Sequence, residues 1–154
     1  MKTFTQVSQI LDFAQEFHQQ SENLFRQLRE DADTYALQLL IEQMEHHERA
    51  MKVCLERYRK LAPVHLMETW VQFAPEESAE TIIQKAHPGG TLTPEAIVTY
   101  SKELDAALSQ TYAHLAEDAE SEDVREMFDG LLEMMKYSEK KRSEDEQAIR
   151  DHLV

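Results

Sequence analysis

The stretch LIEQMEHHE at residues 40–48 returns as LLEMMKYSE at residues 131–139, with leucine, glutamate, methionine and glutamate at matching places. LREDAD at 28–33 matches LAEDAE at 115–120 in the same way. A repeated helical hairpin accounts for both matches, because one hairpin cannot bury its own apolar face and a second copy closes the core. The repeat therefore predicts a duplicated helical hairpin.

Helix breakers are confined to the middle of the chain, since the 3 Gly and 4 Pro all lie between Pro63 and Gly130. Residues spaced alternately three and four apart form one stripe on each of four predicted helices, as an amphipathic helix requires. The stripes run through Phe4, Val7, Leu11, Ala14, His18, Ser21, Phe25 and Leu28; through Leu37, Leu40, Met44, His47, Met51, Cys54, Tyr58 and Leu61; through Val98, Ser101, Asp105, Leu108, Tyr112, Leu115 and Ala119; and through Val124, Phe128, Leu131, Met135, Ser138, Arg142, Asp145 and Ile149.

These patterns predict an all-α fold. The length predicts a single domain over residues 1–154, because a chain of this length buries about two-thirds of the surface that it exposes when unfolded. The fourth stripe becomes polar at its end, so its last turns are expected to project beyond the core or to meet another chain. The predicted parts are a first antiparallel hairpin over 3–62, a crossover over 63–92 and a second antiparallel hairpin over 93–150.

Local signals set the expected ends of these elements. Thr3 and Gln6 form a capping-box pattern at the first helix, and Thr93 followed by Pro94 is typical of the third helix start. A turn is expected near residues 31–33, a short helix at 75–86 and a further turn at HPGGT, residues 87–91.

Trp70 belongs to an apolar cluster in the crossover. We expect the crossover to lay this side chain over the helices. The alternative is a partner-binding surface at Trp70 and its apolar neighbours, or along the acidic fourth helix.

The charge balance limits the classes of partner. With 16 Lys+Arg against 30 Asp+Glu, the net charge of −14 repels nucleic acid and anionic membranes. Cys54 is the single cysteine, which excludes an internal disulfide and a CxxC site. The opening residues MKTFTQVSQILDF contain no apolar signal core, so a cytoplasmic protein is expected.

Residues 41–51, IEQMEHHERAM, are rich in possible metal ligands, but the helical spacing turns few of them inward. His47 lies on the stripe and Glu48 on its flank. The other charged or imidazole side chains are expected to be solvated, namely Glu42, Glu45, His46 and Arg49.

One level of the predicted core collects the polar stripe residues. His18 and His47 are equally far from the first turn, and at about 1.5 Å rise per residue they lie at the same level of an antiparallel hairpin. The repeat superposes Asp105 on His18 and Ser138 on His47. The candidate metal ligands are therefore His18, His47, Asp105 and Ser138, flanked by Met44 and Met135.

A buried Asp105 needs a cation, a proton or good donors, because an unpaired buried carboxylate is costly. His18 or His47 meets this need without a metal, as a His–Asp pair. Alternatively, both histidines and Asp105 with a water suit Zn²⁺, and the histidines with Met44 and Met135 suit Cu⁺.

FAQEFHQQSENLFRQLREDAD and TYAHLAEDAESEDVREMFDGLLEMM resemble the ligand-bearing helices of the rubrerythrin branch of the ferritin-like superfamily. The resemblance implies a four-helix bundle of two antiparallel hairpins joined by a long crossover that contains a short helix. It also implies two irons, held by a glutamate on the first helix of each hairpin and a Glu-x-x-His on the second.

The ligand positions depart from that pattern. The two single-glutamate positions fall on His18 and Asp105, and a further family glutamate falls on Leu108. The Glu-x-x-His positions fall on Met44 with His47 and on Met135 with Ser138, so only His47 is a family ligand.

The departures predict that the di-iron site is lost and that the protein is a non-enzymatic binding or scaffold protein. We assign it no catalytic residue and no cofactor, and expect a homodimer with a further, unidentified protein partner. The alternative is a protein that binds one Zn, Cu or Fe ion and has a redox, peroxide-related or metal-sensing role.

Overall fold

The computed structural model describes residues 4–73, 78–86 and 90–153, which are mostly helical, as the all-α prediction expects. None of the described helices is long and apolar enough to cross a lipid bilayer. The elements are β1 (Phe4–Gln6), α1 (Val7–Glu30), α2 (Tyr35–Leu61), α3 (Val64–Met67), β2 (Trp70–Gln72), α4 (Ala79–Ala86), α5 (Pro94–Glu117) and α6 (Glu122–Leu153).

Helices α1 and α2 form the first antiparallel hairpin. Arg29, near the end of α1, pairs with Glu42 near the start of α2 at 3.3 Å, while Arg59 near the end of α2 pairs with Asp12. The predicted turn after α1 is confirmed. It ends at Thr34, whose hydroxyl accepts a hydrogen bond from the Leu37 N–H at 3.1 Å and so caps α2.

The predicted start of the first helix is wrong. Thr3 lies outside the described residues, and Phe4–Gln6 forms β1, which pairs antiparallel with β2. Helix α1 begins at Val7, where the Gln6 N–H donates to Gln9 Oε1 at 3.0 Å. Extended pairing with β2 gives the backbone of Phe4–Gln6 its partners, so the helical stripe begins one turn later than its spacing suggests.

The crossover contains more structure than its sequence indicated. Helix α4 begins at Ala79; residues 75–77 of the predicted helix, and 87–89 of the predicted turn, lie outside the described residues. Helix α4 packs against both α1 and α5, and the Ile83 carbonyl accepts a hydrogen bond from the Tyr100 hydroxyl at 3.3 Å. Trp70 is not laid over the helices, because 61% of it is exposed on β2.

Helices α5 and α6 form the second antiparallel hairpin, in which Tyr112 stacks on Phe128 with ring centroids 6.2 Å apart. The predicted start of α5 is confirmed: Thr93 Oγ1 accepts from the Ala96 N–H at 3.0 Å and Pro94 occupies the first turn.

The predicted stripes supply most of the buried core, with one systematic departure on α2. Cys54 and Leu61 are exposed, whereas Leu55 and Glu48 are fully buried. A straight helix of 3.6 residues per turn drifts by about 20° per heptad from a strict seven-residue stripe. The drift moves the buried face of α2 onto residues that the stripe omitted.

The polar end of the fourth stripe stays in the core as far as Arg142 and Glu146, which are 4% and 7% exposed. Beyond them Gln147 and Ala148 are exposed and Ile149 is half-buried, so the last turns of α6 are only partly covered.

Candidate functional site

A layer of buried polar side chains crosses the middle of the core. Helix α1 contributes His18, α2 contributes His47 and Glu48, α5 contributes Asp105, and α6 contributes Arg142. All five are at most 8% exposed. Their burial makes hydrogen bonding and charge pairing within the layer decisive for its stability.

His18 and Glu48 form one half of this polar layer. His18 Nδ1 lies 2.6 Å from Glu48 Oε2, and the two side chains are 1% and 0% exposed. Their other polar atoms, His18 Nε2 and Glu48 Oε1, are buried without a hydrogen-bond partner within the described part of the chain. Arg142 Nε is a third buried atom of the layer without such a partner, so the hydrogen-bonding capacity of the layer is not fully used.

Asp105 is the centre of the other half. Its Oδ1 lies 3.3 Å from His47 Nε2, and its Oδ2 accepts a charge-assisted hydrogen bond from Arg142 Nη1. Arg142 Nη1 also donates to Ser101 Oγ at 3.1 Å. Both oxygens of the buried carboxylate are therefore engaged, one by an imidazole and one by a guanidinium.

The sequence brings Arg142 into this layer through the direction of helical side chains. Side chains lean toward the N-terminus of their helix, so a long residue reaches the level of the preceding turn. Arg142 lies one turn beyond Ser138 and extends back to Asp105. Burial lowers the pKa of Arg142, while the charges of Glu48 and Glu146 raise it, and an arginine pKa starts high enough for the side chain to remain cationic.

His47 is held in its neutral form by its surroundings. Burial is the largest influence and lowers its pKa; Arg142 lowers it further, while Glu48 and Glu139 act in the opposite direction. A neutral imidazole has one N–H donor and one nitrogen that can accept a hydrogen bond or ligate a metal.

The structure brings together three of the predicted ligands, His18, His47 and Asp105, in one layer. Met44 and Met135 are 0% and 1% exposed within the hydrophobic core, and Ser138 is half-buried. Predicted pairing of a histidine with Asp105 is confirmed for His47.

The closest set of possible metal ligands differs from the predicted one. Among the residues that the structure describes, His47, Glu48 and Asp105 each offer one atom within 4.8 Å of the others. His18 is linked to this set by its hydrogen bond to Glu48. The carboxylate of Glu48 was placed only on the flank of its stripe, and the drift of α2 turns it fully inward.

Glu45 was expected to be solvated, and this is wrong. It is 3% exposed and pairs with Arg29 at 2.8 Å and Arg26 at 3.5 Å across the α1–α2 contact. The two guanidinium groups supply the charge partners that a buried carboxylate needs.

Besides Glu48, Arg142 is a residue of the polar layer that the sequence-based prediction did not include. The available signal was its position on the fourth stripe, because residues of the stripe are expected to face the core and this one is an arginine. A buried carboxylate on the facing helix, Asp105, was the second signal.

Family models, curated proteins and solved structures gave no match to this chain.

Proposed function

We propose that this protein is a ferritin-like four-helix bundle that works without a metal, as a non-enzymatic binding or scaffold protein. The observation that carries the proposal is the ion pair of Arg142 with Asp105 inside the core. In the ferritin-like pattern, metal ions neutralise the carboxylates of this layer. Here a guanidinium of the chain itself performs that neutralisation.

The donor set does not fit a di-iron centre. Among the described residues, the layer offers two carboxylates, Glu48 and Asp105, and places a fixed positive charge on one of them. Two close irons need several bridging carboxylates to neutralise their charge. Arg142 adds repulsion where such carboxylates would be needed, so this arrangement opposes binding of two ions.

The burial of the layer supports a structural role for it. A reaction centre must admit a substrate, but His18, Glu48 and Asp105 are at most 1% exposed and lie among core side chains such as Met44. A buried ion pair also favours one alignment of the neighbouring helices, because any slip would strand a charge in the core. The function then resides on the outer surface of the bundle.

Thermal melting tests this proposal. The chain without a purification tag is melted in EDTA, and again with Zn²⁺, with Mn²⁺ and, without oxygen, with Fe²⁺. We expect the same melting temperature in every sample. A metal that binds only the folded state at about 100 times its Kd would add roughly 2.7 kcal/mol to the free energy of unfolding, so a clear rise with any metal contradicts the proposal.

A second candidate is a binding site for one divalent ion, such as Zn²⁺. It is favoured by the proximity of His47, Glu48 and Asp105 and by the unsatisfied Glu48 Oε1. His18, bonded to the other oxygen of Glu48, would orient that carboxylate as outer partners of metal ligands do. This candidate predicts a metal-dependent rise in melting temperature that is lost in His47→Ala and retained in His46→Ala, whose side chain is exposed.

A further inference from the structure

Two exposed aromatic side chains lie on the short sheet, next to the turn between α5 and α6. Phe4 and Trp70 are 58% and 61% exposed on β1 and β2. They line a groove of ≈ 210 Å³ whose opposite wall is the turn between α5 and α6. We call this feature the Trp70 groove; its walls are Phe4, Trp70 and Val71 on one side and Leu115, Asp118 and Glu120 on the other.

The α5–α6 side of the Trp70 groove is strongly acidic. Residues 117–129 contain seven acidic side chains and one basic side chain, Arg125. Arg125 is engaged locally, pairing with Glu122 at 3.1 Å and donating to the Ala119 carbonyl at 3.3 Å. Asp118 and Glu120 are exposed, and neither forms an ion pair with another described residue.

The size of the groove limits what it can hold. Small-molecule sites commonly measure about 300–1,000 Å³, so the Trp70 groove is below that range and suits one long side chain of a larger partner. An arginine or lysine stacks favourably on an exposed indole ring, and its charge is attracted by nearby carboxylates. The aromatic wall and the acidic wall together suit a cation carried on an apolar stem.

We propose that the Trp70 groove docks a basic segment of a partner protein, with an arginine or lysine side chain held between the Trp70 ring and the carboxylates of Asp118 and Glu120. The inference rests on the proposed binding function and names the chemistry of its partner. Charge complementarity selects this occupant over a second copy, because a symmetric contact would bring the same acidic walls of two chains of net charge −14 together.

The test measures binding of a labelled synthetic peptide of alternating arginine and leucine to the full chain, by fluorescence anisotropy. Trp70 is the only tryptophan, so its own fluorescence gives a second signal from within the groove. Asp118→Asn combined with Glu120→Gln should weaken binding about fivefold, and Trp70→Ala about threefold, from the loss of charge attraction and cation–π contact.

The matched control is Glu30→Gln combined with Asp33→Asn. Both residues are exposed near the α1–α2 turn, and this variant removes the same charge as the groove variant. We expect it to bind the peptide as the parent chain does. Equal weakening by the two double variants would show nonspecific attraction and overturn the proposal, as would equal binding of a peptide with glutamate in place of arginine.

Two further measurements separate the possible failures. Sedimentation that shows a dimer dissociated by Trp70→Ala would assign the groove to a second copy and overturn the proposal. Peptide binding is measured with and without EDTA, alongside melting of the same samples. A chain that unfolds in EDTA contradicts the metal-independent function. A chain that stays folded, but binds the peptide equally well with and without the groove substitutions, contradicts only the inference about the groove.

Discussion

Arg142 places its guanidinium on the Asp105 carboxylate in the interior of the protein. Burying the carboxylate and the guanidinium costs several kcal/mol per ion, and their mutual attraction offsets the cost only while both are present. The pair therefore holds α5 and α6 in one alignment. Removing either charge leaves the other stranded.

Replacing Arg142 tests this role. Arg142→Met keeps a long apolar stem but leaves Asp105 without its cation, so we expect the free energy of unfolding in urea to fall by about 3–5 kcal/mol. Adding Asp105→Asn to the same chain should recover much of the loss, because the stranded charge is then removed. Lys141→Met, on the exposed face of the same helix, is the control. A loss in Arg142→Met no larger than in this control would show that Arg142 does not stabilise the buried carboxylate.

His47 predicts a specific pH dependence of stability. Its folded-state pKa lies below its ordinary value because of burial, so below about pH 7 the unfolded chain takes up a proton that the folded chain resists. The contribution of the neutral imidazole is fully present above its ordinary pKa of about 6.5 and declines as the pH falls toward its folded-state pKa.

Urea unfolding between pH 5 and pH 8 should therefore show a steeper fall in stability for the parent chain than for His47→Gln. His46→Gln changes the neighbouring, exposed imidazole and should keep the slope of the parent. Equal slopes in the parent and in His47→Gln would contradict a lowered pKa at this residue.

At the scale of the helix, α2 shows why a correct stripe gives an incomplete site. A seven-residue spacing identified Met44, His47 and Met51 as buried, and all three are. The true period of 3.6 residues turns the buried face progressively along the helix. Glu48, and with it half of the polar layer, therefore could not be distinguished from a flanking surface residue by spacing alone.

The drift of α2 has a direct experimental consequence at adjacent residues. Leu55 is fully buried whereas Cys54 is exposed. We expect Leu55→Ala to lower the free energy of unfolding by about 2–5 kcal/mol through the cavity that it leaves, and Cys54→Ala to change it by about 0.5 kcal/mol or less. The reverse order of losses would restore the predicted stripe and contradict the described register of α2.

At the scale of the molecule, the predictable part of the fold is the part that repeats. The hairpins can be predicted from the periodic apolar residues, from helix caps such as Thr93 and from the matched stretches of the two halves. The β1–β2 pairing joins residues more than sixty positions apart, as in the contact of Phe4 with Gln72. No local propensity specifies such a pairing over three residues, so the sequence could not decide between a covered and an exposed Trp70.

The polar layer, like the fold, could be predicted only in part. The helical rise predicted that His18, His47 and Asp105 lie at one level, because that relation depends only on distance from the turns. The partners of these residues depend on side-chain length and direction, which bring Arg142 from the next turn of α6. Side-chain length and direction determine whether Asp105 is paired with a metal ion or with a cation of the chain itself. The spacing of residues along the sequence gives neither property.

We propose that Arg142 supplies the cation that Asp105 needs and that the chain functions without a metal. Elemental analysis measures this in untagged protein expressed in medium supplemented with iron, zinc, copper and manganese. We expect a metal content far below one ion per chain. About two irons per chain, the content of a ferritin-like di-iron centre, would contradict the claim and the role assigned to Arg142.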